Sequence, residues 1–280
     1  MPPEYRLLIP MTHQECSNPS GGGVERPAEP DIDRVLLAAV KLSGVDLRQA
    51  DMLEESERQR ATSFGSGIQR DRFLAGRIAL RRHAAEIAGV DPKDLQADYV
   101  CRECTKDDHV HGTPRYAAGP SGPTVLASLS RAGDWCLVAA TVDGQVLGVG
   151  VDLESGGAAG FEGFGQVALS AREQEELRKM EPALQPGFQT RLWTRKEAVL
   201  KALGRGLAVV DPALVDVAGS VPLLPGHVAG TGGPLMTAEP PVGRRKGGRP
   251  RWVVDAVDPA SVGLPPSFTA AVALVVKPRS

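Results

Sequence analysis

At 280 residues, 42% of them apolar, the chain is long enough to bury one large or two medium cores. Its 32 basic and 34 acidic residues leave a net charge of −2, so no overall field marks a nucleic-acid or membrane binder and any anion site must be local. No apolar run approaches the roughly eighteen residues of a membrane span, and Met1 to Pro10 lack the basic flank and long apolar stretch of a signal peptide, so a cytoplasmic protein is expected.

In chain order, residues 1–32 read as a mobile arm, with several prolines and Ser17-Asn18-Pro19-Ser20-Gly21-Gly22-Gly23. Arg34 to Val40 reads as a first strand, Leu53 to Arg60 as a short helix opened by acidic residues, and Gln69 to Ala88 as a long helix stopped by Gly89. At about 100° per residue, Arg77 and Arg81 fall within the apolar arc of that helix and need a buried anion. For Arg77 the alternatives are an internal carboxylate or a phosphate of a bound nucleotide. Cys101-Arg102-Glu103-Cys104 with His109 and His111 reads either as a zinc knuckle or as reduced thiols in a surface connection. Cys136 reads as core packing. Strands follow at Val125 to Leu129 and Trp135 to Val142, then a hairpin signal at Asp143-Gly144. Ser170-Ala171-Arg172-Glu173 is a capping box opening a helix, Arg191 to Leu203 a second long helix, and Arg251 to Ala256 and Phe268 to Val276 are strands. Gly219 to Pro250 reads as an exposed loop with a basic knot at Arg244-Arg245-Lys246.

The second half repeats the first in weakened form. Arg72-Phe73 with Arg77 answers Arg191-Leu192 with Lys196, and the strand opened by Trp135 answers the one opened by Phe268. An α+β unit used twice is expected, as lobes 33–149 and 150–280, with a site where they meet.

Two segments carry the chemistry. Val146 to Glu154 is a β-branched run, so Asp152 and Glu154 share a strand face and repel unless a cation lies between them. On the second long helix Glu197 and Lys201 are four apart and share a face, with Lys196 beside them. Three oxygen ligands beside two ammonium groups point to Mg²⁺ holding a phosphate ester.

Gly150-Val151-Asp152-Leu153-Glu154 followed by Trp193-Thr194-Arg195-Lys196-Glu197-Ala198-Val199-Leu200-Lys201-Ala202-Leu203-Gly204-Arg205-Gly206-Leu207 resembles the two-lobed 4'-phosphopantetheinyl transferases, which activate the carrier proteins of polyketide, peptide and fatty acid synthesis. Over residues 33–276 the resemblance implies a pseudo-twofold fold and a monomer. It implies transfer of phosphopantetheine from coenzyme A to a carrier-protein serine, with no nucleic acid or membrane involved. Asp152, Glu154 and Glu197 would hold Mg²⁺, with Glu197 as general base and Lys201 and Lys196 stabilising the departing adenosine bisphosphate. Arg72, Arg77, Pro114, Arg115, Ser130 and Arg131 would join the two lysines in holding coenzyme A. Arg205 and Gly206-Leu207 would offer a dock to an acidic carrier protein. Two positions depart from the pattern: Thr113 stands where relatives carry lysine and Arg131 where they carry histidine. The rivals are a homologue that binds coenzyme A or a carrier protein without transfer, and one acting on another substrate.

Overall fold

The computed structural model describes residues 35–99, 112–157, 159–205, 210–219, 221–224 and 250–278. The Cys/His segment around Cys101, the arm, Gly206-Leu207 and the basic knot at Arg244 lie outside them.

Two antiparallel sheets make the frame. The first contains β1 (Leu36–Lys41), β2 (Gln96–Ala97), β3 (Arg115–Ala117), β4 (Thr124–Ala132) and β5 (Trp135–Thr141) in the order β1-β5-β4-β3-β2. The second contains β6 (Val146–Ser155), β7 (Arg251–Val257) and β8 (Phe268–Val276) in the order β6-β8-β7. One long helix serves each sheet: α2 (Gly67–Ala88), preceded by α1 (Glu55–Thr62), and α5 (Gln185–Ala202), preceded by α3 (Phe164–Ala168) and α4 (Ala171–Arg178). Each long helix ends at a glycine with positive φ, Gly89 at 69° and Gly204 at 66°. Beyond each, a backbone N–H reaches back five residues, Val90 to Ala85 O at 3.0 Å and Arg205 to Leu200 O at 2.9 Å.

Strand alternation sorts the core. On β5, Cys136, Val138 and Ala140 pack with Ala75, Leu80 and Ala84 of α2. Leu137 and Ala139, on the opposite face, join Leu37 of β1, Val149, Val151 and Leu153 of β6, and Val272 and Leu274 of β8 in one shared cluster. Beyond the second sheet, Ala271, Ala273 and Val254 pack with Leu192, Ala198, Val199 and Ala202 of α5. The layers therefore run helix, sheet, sheet, helix, with the shared cluster inside. Contact between α5 and β6 is a backbone approach: a Cβ on Gly150 would lie 2.0 Å from Ala198 O, and one on Gly148 would lie 2.2 Å from Ala202 O.

The expected repeat has a structural counterpart, since β5 and β8 are both interior strands under their long helices. The hairpin expected at Asp143-Gly144 is not formed. That turn carries the chain from β5 in the first sheet to β6 in the second, and the tight hairpin lies instead at Gly133-Asp134, where Ala132 pairs with Trp135 and Gly133 has φ 56°. Helix α5 starts six residues before the expected Arg191, at Gln185 with Pro186 in its first turn, a position where proline loses no helical bond.

Candidate active site

Asp152 and Glu154 lie on the face of β6 that Gly148 and Gly150 leave bare for α5, and from α5 come Trp193, Glu197 and Lys201. The absent side chains at 148 and 150 let the helix settle close enough for its polar residues to reach the strand. Asp152 is 3% exposed. Its Oδ1 accepts from Lys201 Nζ at 2.6 Å and from Ser130 Oγ at 2.7 Å, and Lys201 Nζ also donates to Ser130 Oγ at 3.1 Å. Ser130 belongs to β4, so one strand from each sheet and helix α5 close on one carboxylate oxygen. Trp193 Nε1 donates to Glu154 Oε1 at 3.2 Å, and the Trp193 ring stacks edge-on to Phe164, which stacks on Phe161.

Among the described residues, two buried side-chain oxygens have no hydrogen-bond partner, Asp152 Oδ2 and Glu197 Oε1. Such orphans are costly unless something else satisfies them. Burial pushes the Glu197 carboxyl up to about 7; Lys201 opposes this, and Asp152 and Glu154 add to it. Glu154 is also raised, by burial and then by Asp152. Lys201, committed to Asp152, does not outweigh burial at Glu197 on its own. The oxygen-only donor set and the orphaned oxygens fit a hard dication such as Mg²⁺. Among the described residues no three acidic, histidine or cysteine side chains already converge as a finished metal cage.

Lys196 requires a correction. It is fully buried on another side of α5, ion-paired at 2.6 Å with the equally buried Glu173 of α4, and its ammonium donates to the carbonyls of Pro212 (2.8 Å) and Val215. All its donors are used within the second half, so it does not face the acidic cluster. Helix arithmetic placed it one residue from Glu197, which is 100° round the helix and enough to turn it into the core. Glu173 was legible as a capping residue; that the capping oxygen Oε2 also anchors Lys196, while Oε1 accepts from Val217 N–H at 2.8 Å, was not.

In the first half, Arg77 meets the internal-carboxylate alternative. Its Nε lies 3.6 Å from Glu57 Oε1 and its guanidinium over the rings of Tyr99 (4.7 Å) and Phe73 (5.4 Å), although Nη1 has no hydrogen-bond partner. Arg81 bonds Glu54, Pro92 O and Leu95 O. Arg115 on β3 answers Asp98 through a two-point bond, so its charge is already matched. Pro114 is buried just before β3, its carbonyl accepting from Ala127 N–H at 3.1 Å. Arg72 is exposed on α2. Arg131 on β4 donates from Nη1 to Arg72 O at 3.3 Å, lies over the Phe73 ring at 5.5 Å and passes across Gly76, which lacks the Cβ that would crowd it. Arg72 and Arg131 thus form a cationic surface at the α2–β4 junction. Sequence reading missed Glu57, and the buried arginines were the only signal for it.

Residues 148–220 match the family model described as the 4'-phosphopantetheinyl transferase superfamily. The chain is 30% identical over 183 residues to the 4'-phosphopantetheinyl transferase HetI of Nostoc sp. (strain PCC 7120), across 64% of this chain and 72% of that protein. The chain belongs to the 4'-phosphopantetheinyl transferase superfamily. Within the superfamily it is 24% identical over 178 residues to the 4'-phosphopantetheinyl transferase of Bacillus subtilis, covering 64% of this chain and 70% of that one. It is 28% identical over 169 residues to a phosphopantetheinyl transferase of Thraustochytrium sp., covering 55% and 54%. Among solved structures, a holo-(acyl-carrier-protein) synthase from Bacillus anthracis in complex with CoA (3',5'-ADP) aligns with a TM-score of 0.34 at 13% identity, over 47% of this chain and 97% of that one. No helix among the described residues of this superfamily member is long and apolar enough to cross a membrane.

Proposed function

We propose that the chain transfers 4'-phosphopantetheine from coenzyme A to a serine hydroxyl of an acyl or peptidyl carrier protein, with Mg²⁺. The observation that carries this reading is the placement of Asp152 and Glu154 on the face of β6 packed against the α5 residues Glu197 and Lys201, with buried oxygens of Asp152 and Glu197 left unpartnered. Family membership, and relatives named for this activity, support it.

Asp152, Glu154 and Glu197 would hold the metal, which would supply charge neutralisation for the pyrophosphate of coenzyme A. The remaining steps belong to the chain's own groups. Glu197 accepts the proton of the attacking serine hydroxyl, directly or through a water. The serine oxygen forms a bond to the β-phosphorus as the bridging P–O bond breaks, and adenosine 3',5'-bisphosphate leaves. Lys201, 30% exposed at its side chain, would meet the charge gathering on that leaving group. Arg72 and Arg131 are assigned to the ribose phosphate, where the guanidinium of Arg131 replaces the imidazole of relatives. Arg205, just past α5, offers positive charge to an acidic carrier protein.

The pairing of Arg115 with Asp98 favours one rival, a homologue that holds coenzyme A without transferring from it, because it leaves one cation fewer for the phosphates. One assay separates the two. A carrier protein incubated with the chain, coenzyme A and Mg²⁺ should gain the mass of one phosphopantetheine on its serine, and EDTA should prevent it. Coenzyme A binding by calorimetry without any mass gain would establish the rival instead.

A further inference from the structure

Ser130 and Ser128 are two apart on β4, so both side chains face β6. They do different work there. Ser128 Oγ accepts from the backbone N–H of Val151 at 3.1 Å, a tie between the two sheets. Ser130 Oγ contacts Asp152 Oδ1 at 2.7 Å and Lys201 Nζ at 3.1 Å. Donor accounting fixes the direction of these bonds. An ammonium has no acceptor and an ionised carboxylate has no donor, so the Ser130 hydroxyl receives from Lys201 and its single hydrogen goes to Asp152. A phosphate also needs a donor, and the one that Ser130 possesses is spent. A place for the Ser130 hydroxyl among the phosphate contacts of coenzyme A, as the family pattern implies for this residue, therefore conflicts with its bonding.

We propose that Ser130 is a positioning residue for Asp152: its hydroxyl, held at 2.7 Å from Oδ1 together with the Lys201 ammonium, fixes the carboxylate rotamer so that the unpartnered Oδ2 is the oxygen offered to the metal. Ser130 is 8% exposed and Asp152 3% exposed, so no bulk water substitutes for either bond. The contact crosses from the first sheet to the second, which makes the geometry of a β6 ligand depend on β4. Arg131, the next residue on β4, points to the other face and toward Arg72, so one strand addresses both the metal ligand and the cationic surface on α2.

This inference rests on the metal-binding reading above, and its test separates the two. Mn²⁺ serves as the probe, titrated into the full chain in the presence of adenosine 3',5'-bisphosphate and followed by the loss of its free electron-spin-resonance signal. Removing a hydrogen-bond partner behind a metal ligand typically weakens metal affinity about 10- to 100-fold. Ser130→Ala should weaken Mn²⁺ at least tenfold, Ser130→Thr, which keeps the hydroxyl, should restore most of it, and Ser128→Ala should leave Mn²⁺ affinity unchanged even where it lowers the melting temperature. The preference for coenzyme A over dephospho-coenzyme A should be the same in Ser130→Ala as in the parent. Parent-like Mn²⁺ affinity in Ser130→Ala, or loss of that preference, would overturn the positioning role and return Ser130 to the ribose phosphate. A parent chain that takes up no Mn²⁺ would overturn the metal-binding reading and this inference together.

Discussion

Glu197 binds its proton more tightly in the fold than in the unfolded chain, its carboxyl being pushed from 4.5 up to about 7. The protonated form is therefore the favourable one, and stability conferred at this position is present at low pH and lost as pH rises through about 7. Glu197→Gln, measured in EDTA, should melt above the parent at pH 8 and lose that advantage toward pH 5; an equal gap at both values would mean the carboxyl is not protonated in the fold. The same substitution should lower kcat for transfer by roughly 10²–10⁴-fold with coenzyme A still bound, and full rescue by added Mg²⁺ would leave Glu197 a metal ligand alone. Arg131→Ala should weaken coenzyme A by about 1.5–3 kcal/mol and dephospho-coenzyme A far less, read by calorimetry. Lys196 belongs to stability. Removing it strands Glu173 as a buried charge, so Lys196→Ala should cost about 3–5 kcal/mol, while Glu173→Leu with Lys196→Met should recover much of the loss in a denaturant titration. Spacing was enough to bring Asp152, Glu154, Glu197 and Lys201 toward one place. It could not tell Lys196 from Lys201, because that difference depends on which flank of α5 is covered by α4 and the Pro212–Val215 segment, a tertiary fact with no local signature.

At the scale of elements, the approach of α5 to β6 is the most demanding contact. A methyl at Gly150 would stand 2.0 Å from Ala198 O and 2.5 Å from Ala202 N, all of them backbone, so nothing can yield except the helix itself. Gly150→Ala should cost more than the about 1–3 kcal/mol of ordinary overpacking, and any folded fraction should have lost activity because Glu197 and Lys201 move with α5. Gly44, with nothing near its Cβ position, provides the control, and Gly44→Ala should change neither melting temperature nor rate. Element ends that rest on local chemistry were legible: Gly89 closes α2, and in the Ser170 capping box Glu173 N donates to Ser170 Oγ at 3.2 Å while Ser170 N donates to Glu173 Oε2 at 2.8 Å. Asp143-Gly144 had the composition of a hairpin, yet the strands it joins enter different sheets, and turn chemistry does not say which partner a strand will choose.

Across the whole molecule, each half packs one sheet face on its own helix, and the shared cluster of Leu37, Leu137, Ala139, Val149, Val151 and Leu153 means that the other face of each sheet is covered only by its counterpart. Thermal unfolding should accordingly be a single transition with tryptophan fluorescence and far-ultraviolet dichroism coincident, since Trp135 belongs to the first sheet and Trp252 to the second. Two separated melts would show the halves to be independent. A protein built from only one such unit would expose that apolar sheet face and would need a second copy to cover it. Here the covering face is part of the same polypeptide, so its local concentration is set by the chain and not by how much protein is present. The site, which draws Ser130 from one unit and Asp152, Glu197 and Lys201 from the other, should therefore assemble as completely at nanomolar as at micromolar protein, and turnover per molecule should be unchanged on dilution.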